Sequence, residues 1–88
     1  MFEQQLIIFG EVTIQNMADE RVHGVLTNIK RRRKVLGYSS DYLAGLINLS
    51  SNAYYKIETG RTPITLANFL AIVEVLNTSI DKLMQPPL

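Results

Sequence analysis

The chain has 88 residues, of which 47% are hydrophobic and 19% are charged. This length allows one hydrophobic core, and the composition is too apolar for a disordered chain. The chain contains no cysteine, which excludes disulfides, thiolate metal sites and a cysteine nucleophile. The formal net charge is only +1, yet five of the nine basic residues are consecutive, at positions 30–34. A total near neutrality can therefore hide a strongly positive surface.

Residues 1–15 form an apolar leader. Residues 6–9, Val12 and Ile14 combine β-branched side chains with partial alternation, which predicts a short strand or an extended arm. A lone strand needs a partner, so the arm either pairs with the same segment of a second subunit or packs over the helices. The apolar run is too short for a membrane span and no basic residue precedes it. We therefore expect a cytoplasmic protein that does not enter a membrane.

The first helix is predicted over residues 17–36. Asn16 is a good N-cap, and Asp19 and Glu20 follow in the first turn, where the helix dipole favours acidic side chains. Gly37 suits the C-terminal end. Side chains at three- and four-residue steps form the stripe of an amphipathic helix: Val22, Val25, Leu26, Ile29, Arg33 and Leu36.

Four shorter helices are predicted after the first. Their N-caps are Ser39, Ser50, Thr65 and either Thr78 or Ser79. The second helix contains Tyr42, Leu43, Leu46 and Ile47; the third runs from Ser51 to about Thr59; the fourth runs from Leu66 to Leu76; the last contains Ile80, Leu83 and Met84. The predicted breaks are Asn48, which tolerates a left-handed turn, then Gly60 with Pro63, and finally Pro86 with Pro87.

The predicted fold class is an all-α bundle of five short helices. The helical domain spans residues 16–84, between the arm at residues 1–15 and a tail at residues 85–88. Within it, residues 39–60 place two short helices around a turn at residues 48–50, which is the helix-turn-helix arrangement. In that arrangement the second helix projects its N-terminal side chains toward base edges in the major groove. The first helix lies across the DNA backbone, where its N-terminal amides can bind phosphate.

The stretch also resembles the XRE/Cro/lambda-repressor family of helix-turn-helix regulators. The matching residues are Ser39, Leu43 and Ala44, then Leu49-Ser50, then Ile57-Glu58-Thr59-Gly60-Arg61, with Thr65-Leu66 and Ser79-Ile80-Asp81-Lys82-Leu83 downstream. The resemblance implies a five-helix, lambda-repressor-like DNA-binding domain. It covers everything except the leader and the tail.

The resemblance also implies roles for single residues. It places phosphate contacts at Ser40, Arg61 and Thr62, base contacts at Ser51, Asn52 and Lys56, and a contact to sugar or a thymine methyl at Tyr55. Ser40 and Ser51 are shorter than the polar side chains that are frequent in the family, so few direct contacts to bases are expected.

The basic block has two interpretations. Five consecutive helical residues cover about 400° of arc and cannot all face one ligand. Lys30, Arg31 and Lys34 either contact phosphate or form a solvated helix face. Arg33 lies on the apolar stripe, and the resemblance implies a structural ion pair between Arg33 and Glu58.

The remaining polar candidates favour packing or exposure. Tyr42 and Tyr54 are expected to pack on the apolar faces of their helices with the hydroxyl at the surface, and His23 is expected at the surface without a metal. No paired carboxylates, no base near Ser50 and Ser51, and no glycine-rich phosphate loop are evident, so we expect no enzyme activity and no cofactor or metal.

Two functions fit these patterns. The first is a sequence-specific, double-stranded DNA-binding transcriptional regulator, a repressor that acts as a homodimer. The second is a protein-interaction module or antitoxin-type partner protein that keeps the helix-turn-helix fold, with the leader as the partner-binding arm. The candidate dimer surfaces are the last helix (Ile80, Leu83, Met84) and the leader (Leu6, Ile8, Phe9, Val12, Ile14).

Overall fold

In the computed structural model, residues 13–87 are described, and they form five α-helices. These are α1 (Ile14–Val35), α2 (Ser40–Leu46), α3 (Ser51–Glu58), α4 (Leu66–Val75) and α5 (Ile80–Leu83). The described part of the chain contains no strand, so the all-α prediction is confirmed there. The predicted arm falls mostly on residues 1–12, outside the described residues. Its last two residues, Ile14 and Gln15, are helical rather than extended.

The start of α1 differs from the prediction. Thr13 is the N-cap, and its hydroxyl accepts a hydrogen bond from the amide of Asn16 at 3.1 Å. Asn16 is therefore inside the helix, and Asp19 and Glu20 lie beyond the first turn. The prediction was wrong because the hydroxyl of Thr13 supplies the cap that was assigned to Asn16. The β-branched Ile14, which suggested a strand, is tolerated at the first helical position.

The other four helices begin at the predicted caps. The hydroxyls of Ser39, Ser50, Thr65 and Ser79 accept hydrogen bonds at 3.0–3.2 Å from the amides three residues on. Ser79, and not Thr78, is thus the cap of α5. The breaks also agree with the prediction, since Gly37 and Gly60 have φ of 76° and 80° and Asn48 has φ of 66°. Asn77, with φ of 49°, makes the corresponding turn before α5.

The core is formed by all five helices. Its fully buried members include Ile29 of α1, Leu43 of α2, Tyr54 of α3, and Ile72 and Leu76 at the end of α4. Tyr54 packs in the core as predicted, but its hydroxyl is not at the surface, because it donates to Glu58. Tyr42 does not pack on the inner face of its helix as predicted, because α2 turns Leu43 and Ala44 inward and leaves Tyr42 53% exposed. Tyr42 packs against the ring of Tyr38 instead, edge to face with centroids 5.0 Å apart.

The helix α5 is anchored by its apolar side. Leu83 is buried in the core at 2% exposure, whereas Ile80 and Met84 are exposed. The suggestion that Leu83 belongs to a dimer surface is therefore wrong, because one helical turn cannot present the same side chain to the core and to a partner. No helix among the described residues is both long and apolar enough to cross a membrane.

Two polar side chains of α1 hold the ends of α4 and α5. Arg32 donates from Nε to the carbonyl of Leu76 at 2.9 Å and from Nη2 to that of Asn77 at 3.1 Å. Asn28 donates from Nδ2 to the carbonyls of Leu83 at 2.9 Å and Gln85 at 2.7 Å. These carbonyls are at helix C-termini, where intrahelical donors run out. Neither contact was foreseen from the sequence, although the two residues are four apart on the border of the apolar stripe.

The contact at Asn28 gives a stability prediction. Replacing Asn28 with Ala leaves the Leu83 carbonyl without this donor and lowers the free energy of unfolding by about 1–2 kcal/mol. Urea unfolding followed by circular dichroism measures the change. The control is His23→Ala, an exposed position on the same helix, which should change the free energy by less than about 0.5 kcal/mol. Equal stability of the two variants would contradict the assigned role of Asn28.

Candidate nucleic-acid interface

The position of α3 is fixed by a buried ion pair with α1. Arg33 donates from Nε to Oε2 of Glu58 and from Nη2 to Oε1, both at 2.9 Å. The two side chains are only 10% and 6% exposed. Nη1 of the same guanidinium donates to the carbonyl of Tyr38 at 2.8 Å, and the hydroxyl of Tyr54 donates to Oε2 of Glu58. One guanidinium therefore joins α1, the turn before α2, and α3.

Charge and burial act against each other in this network. Burial alone would raise the pKa of Glu58, but the hydrogen bonds from Arg33 and Tyr54 outweigh it and hold that pKa below its ordinary value. The hydrogen bond to Glu58 raises the pKa of Arg33 against the opposing effect of burial. Burial, together with the hydrogen bond to Glu58, raises the pKa of Tyr54. Glu58 is thus ionised, and Arg33 and Tyr54 are protonated, at neutral pH.

The outward face of α3 is polar and exposed. Ser51 and Asn52 are its first two residues, and Tyr55 and Lys56 follow one turn later. At 100° per residue, these four positions span about 140° of the helix surface. Tyr54 and Ile57, which are buried, lie on the opposite side. The structure therefore brings together the four α3 residues that the sequence analysis singled out.

The loop after α3 turns back on the helix. The amides of Arg61 and Thr62 both donate to the carbonyl of Lys56, at 2.8 and 3.0 Å. The left-handed conformation of Gly60 permits this reversal. The exposed side chains of Arg61 and Thr62 are consequently held at the C-terminal end of α3. Ser40 is placed elsewhere, as the half-buried first residue of α2 beside its cap.

The basic block divides by direction around α1. Arg33 is buried against Glu58 and Arg32 is bonded to the end of α4. Lys30 is exposed, and its charge contributes to lowering the pKa of Glu58, which places it on the α3 side of the helix. Lys34 is one helical turn further along the same side and is also exposed.

Arg31 lies about 100° around α1 from Lys30 and about 60° from Lys34. It lines a shallow depression together with Asn77, in the turn before α5, and Lys82 of α5. The five consecutive basic side chains thus lie in at least three different environments, because five helical residues cover more than one full turn.

The arrangement of α2, the turn and α3 has a known counterpart. A family model described as helix-turn-helix matches residues 29–83, which includes all of α2, α3 and α4. The chain belongs to the XRE/Cro/lambda-repressor-like helix-turn-helix family. The resemblance inferred from the sequence is therefore confirmed.

A comparison with solved structures agrees with this assignment. The chain is similar to the crystal structure of the hypothetical transcription factor NHTF from Neisseria, with a TM-score of 0.69 and 26% sequence identity. The similarity covers 78% of this chain and 79% of that one. No curated protein matches the chain.

The ion pair predicts how stability depends on pH. The folded-state pKa of Glu58 lies below the value of 4.5 for the free group, so its contribution is complete above that pH and is lost as pH falls through the lower, folded-state pKa. Glu58→Gln should lower the free energy of unfolding at pH 7 by about 3 kcal/mol, because the charge of Arg33 stays buried without its partner. The variant should also lose less stability than the parent between pH 6 and pH 3.

Urea unfolding at a series of pH values measures both effects. Glu74→Gln is the matched control, because Glu74 is an exposed glutamate of α4. This control should keep the parent's stability at pH 7 and its steep loss in acid. If Glu58→Gln loses stability in acid as steeply as the parent, the lowered pKa of Glu58 is not a source of the acid sensitivity.

Proposed function

We propose that the protein is a sequence-specific, double-stranded DNA-binding transcriptional regulator that represses as a homodimer. The observation that carries the proposal is the asymmetry of α3. Its inner face is fixed by Tyr54, Ile57 and the bidentate Arg33–Glu58 pair, while its outer face exposes only polar and aromatic side chains. Rigid support behind an exposed helix is what a major-groove contact requires, since base recognition depends on side chains held in register.

The outer face of α3 carries suitable groups for base edges. Lys56 is a donor suited to the O6 and N7 acceptors of guanine, and Asn52 can form paired hydrogen bonds with adenine. Ser51 offers a short donor and acceptor. Tyr55, which is 51% exposed, can cover a sugar or a thymine methyl. In this proposal the four residues enter one major groove together.

Phosphate contacts flank this face. Arg61 and Thr62 are held next to the last turn of α3 by the carbonyl of Lys56, so they would reach the backbone beside the groove that α3 occupies. Ser40 would contact phosphate from the start of α2. Such contacts supply affinity and orientation rather than sequence specificity.

From α1, the proposal keeps Lys30 and Lys34 as phosphate contacts, because they lie on the α3 side of the helix. Arg31, which lines the depression beside Lys82, stays a further phosphate contact in the proposal. Because one domain makes few base contacts, specificity requires two subunits on half-sites about 34 Å apart. A dimer bound across a promoter would repress by excluding other proteins.

DNA titration tests the proposal. The protein should bind a duplex from its own upstream region more tightly than a scrambled duplex, and affinity should fall steeply as salt rises. Lys56→Glu combined with Arg61→Glu should weaken binding by at least about 100-fold, since it replaces two attractive contacts with repulsive ones. Lys82→Glu, the same charge change on α5, should alter affinity by no more than about threefold.

Both variants change exposed positions, so circular dichroism should show unchanged folding. Failure of the parent protein to bind either duplex at low salt would overturn the proposal and leave the protein-interaction function. Equal losses in the double variant and in Lys82→Glu would show that binding does not use the α3 face.

A further inference from the structure

The first half of α1 is left uncovered by the rest of the described chain. Every residue from Ile14 to His23 is exposed, although three large apolar side chains are among them. Ile14 is 72% exposed, Met17 53% and Val22 45%. Grouped apolar exposure of this kind marks a surface that packs against another segment.

Beside these side chains the fold leaves an open groove with a volume of about 430 Å³. Val22 and Val25 line it from α1, and Leu66 and Phe69 line it from α4. Leu66 is 73% exposed. Among the described residues that line the groove, Arg21 is the one that carries a charge. The groove therefore suits a segment that is mainly apolar.

The other flank of α1 is already covered by the end of the chain. Nδ2 of Asn28 donates to the carbonyl of Gln85 at 2.7 Å. Pro87 lies against Gly24, where a Cβ atom would be only 3.2 Å from Cδ of the proline. Gly24 is about 160° around the helix from Val22. The C-terminal residues thus occupy one flank of α1 and leave the groove beside Val22 open.

The chain carries an apolar segment that ends where this surface begins. Residues 1–12 are outside the described residues, and the residue that follows them, Thr13, is the N-cap of α1. Residues 6–9 are Leu-Ile-Ile-Phe, four consecutive large apolar side chains whose removal from water is favourable. This segment is therefore tethered to one end of the surface that needs a cover.

We propose that leader residues 6–9 occupy the groove of their own subunit. The chain runs back along α1 from its N-terminus, and residues 10–12 make the reversal. Gly10 stands between the apolar run and α1, and glycine accepts the left-handed conformations that a tight reversal needs. The leader is then an intramolecular cover for the first half of α1.

The chain lengths agree with this path. An extended residue advances about 3.3 Å and a helical residue about 1.5 Å. If Gly10 is level with Ile14, the four residues before it reach about 13 Å along α1, which is the rise of about nine helical residues. Residues 6–9 are then level with residues 16–23. That interval contains Met17 and Val22, and it brings Leu6 to the groove.

Charge favours the same placement. Residues 1–12 contain Glu3 and Glu11 and no basic residue, so the segment is acidic, whereas the charged residue of the groove is Arg21. Asp19 and Glu20 lie about 110° and 150° around α1 from the middle of its groove-lining side, so they do not face the segment. The aliphatic part of Arg21 can cover apolar side chains while its guanidinium stays in water.

The tether favours the leader of the same subunit over that of another copy. A short flexible connection gives an effective concentration in the millimolar range, above the usual concentration of a protein in solution. None of the groove residues named above belongs to α3 or to the loop at Arg61 and Thr62. The inference therefore does not rest on the proposed function, and it is tested without DNA.

Cross-linking within one chain tests the placement, because the chain has no cysteine of its own. Ile7→Cys combined with Leu66→Cys should form a disulfide within the monomer, since docking brings the two Cα atoms within about 7 Å. Ile7→Cys combined with His23→Cys is the matched control, because His23 is exposed and about 160° around α1 from Val25. At low protein concentration the first pair should close at least about tenfold faster than the control pair.

Two results of this experiment would overturn the inference. Equal rates for the two pairs would show that the leader has no preferred side of α1. A disulfide that joins two chains, with none formed inside a monomer, would show that the groove receives the leader of a second copy.

Tryptophan fluorescence gives a second test, because the chain contains no tryptophan. The emission of Leu6→Trp should shift to longer wavelength, with stronger quenching by acrylamide, when Leu66→Asp places a carboxylate in the groove. Leu70→Asp is the matched control, because Leu70 is another exposed leucine of α4 and is not among the residues that line the groove. This control should leave the emission unchanged.

Circular dichroism should show the same helix content in both aspartate variants, since both leucines are exposed. Emission that Leu66→Asp does not change would show that the leader lies elsewhere and would overturn the inference. A shift that appears only as the protein concentration rises would assign the groove to a second copy and would overturn it as well.

Discussion

The hydrogen-bonded pair of Arg33 and Glu58 is the contact on which the arrangement of the molecule depends. It is made between two helices that are distant in sequence, and it is nearly excluded from water. Burying two charges is costly unless their hydrogen-bonding groups are satisfied. Here Tyr54 and the carbonyl of Tyr38 take up remaining donors and acceptors. The result is a contact that is sensitive to geometry, and it therefore fixes the orientation of α3 more closely than apolar packing would.

That orientation gives α3 two different faces. Tyr54 takes part in both the core and the ion-pair network, because its ring is buried while its hydroxyl reaches Glu58. The opposite face is exposed and is left available for a ligand. The following loop extends this division, since Gly60 lets the chain reverse and the carbonyl of Lys56 holds the reversed segment. In the proposed function, folding and recognition thus use separate sides of an eight-residue helix.

The helix α1 shows the same division along its length. Its second half supplies the core and the polar contacts that fasten α3, α4 and α5, through Arg33, Arg32 and Asn28. Its first half packs against little within the described part of the chain. A helix of 22 residues is longer than the described part of the bundle covers, and the uncovered half carries an apolar stripe at Ile14, Met17 and Val22.

The sequence by itself determined the local structure. Ser and Thr caps, Asn48 and Gly60 act through hydrogen bonds and backbone preferences within a few residues, so four of the five helix starts followed from it. The start of α1 did not, since Thr13 and Asn16 are both good caps and only the folded helix selects one. The polar positions of α3 followed from helical periodicity together with family resemblance. Their contacts with DNA were proposed in the same way.

Tertiary structure decided everything that depends on direction and distance. Arg31, Arg32 and Arg33 are chemically identical neighbours, and only the placement of α3, α4 and α5 around α1 gives them different partners. Tyr42 has the same apolar character as Tyr54, but α2 turns it outward. The groove lined by Val22, Val25, Leu66 and Phe69 arises where α1, α4 and the end of α5 meet. Periodicity specifies which residues share a face, while the partner of that face is set by packing between segments that are far apart in the chain.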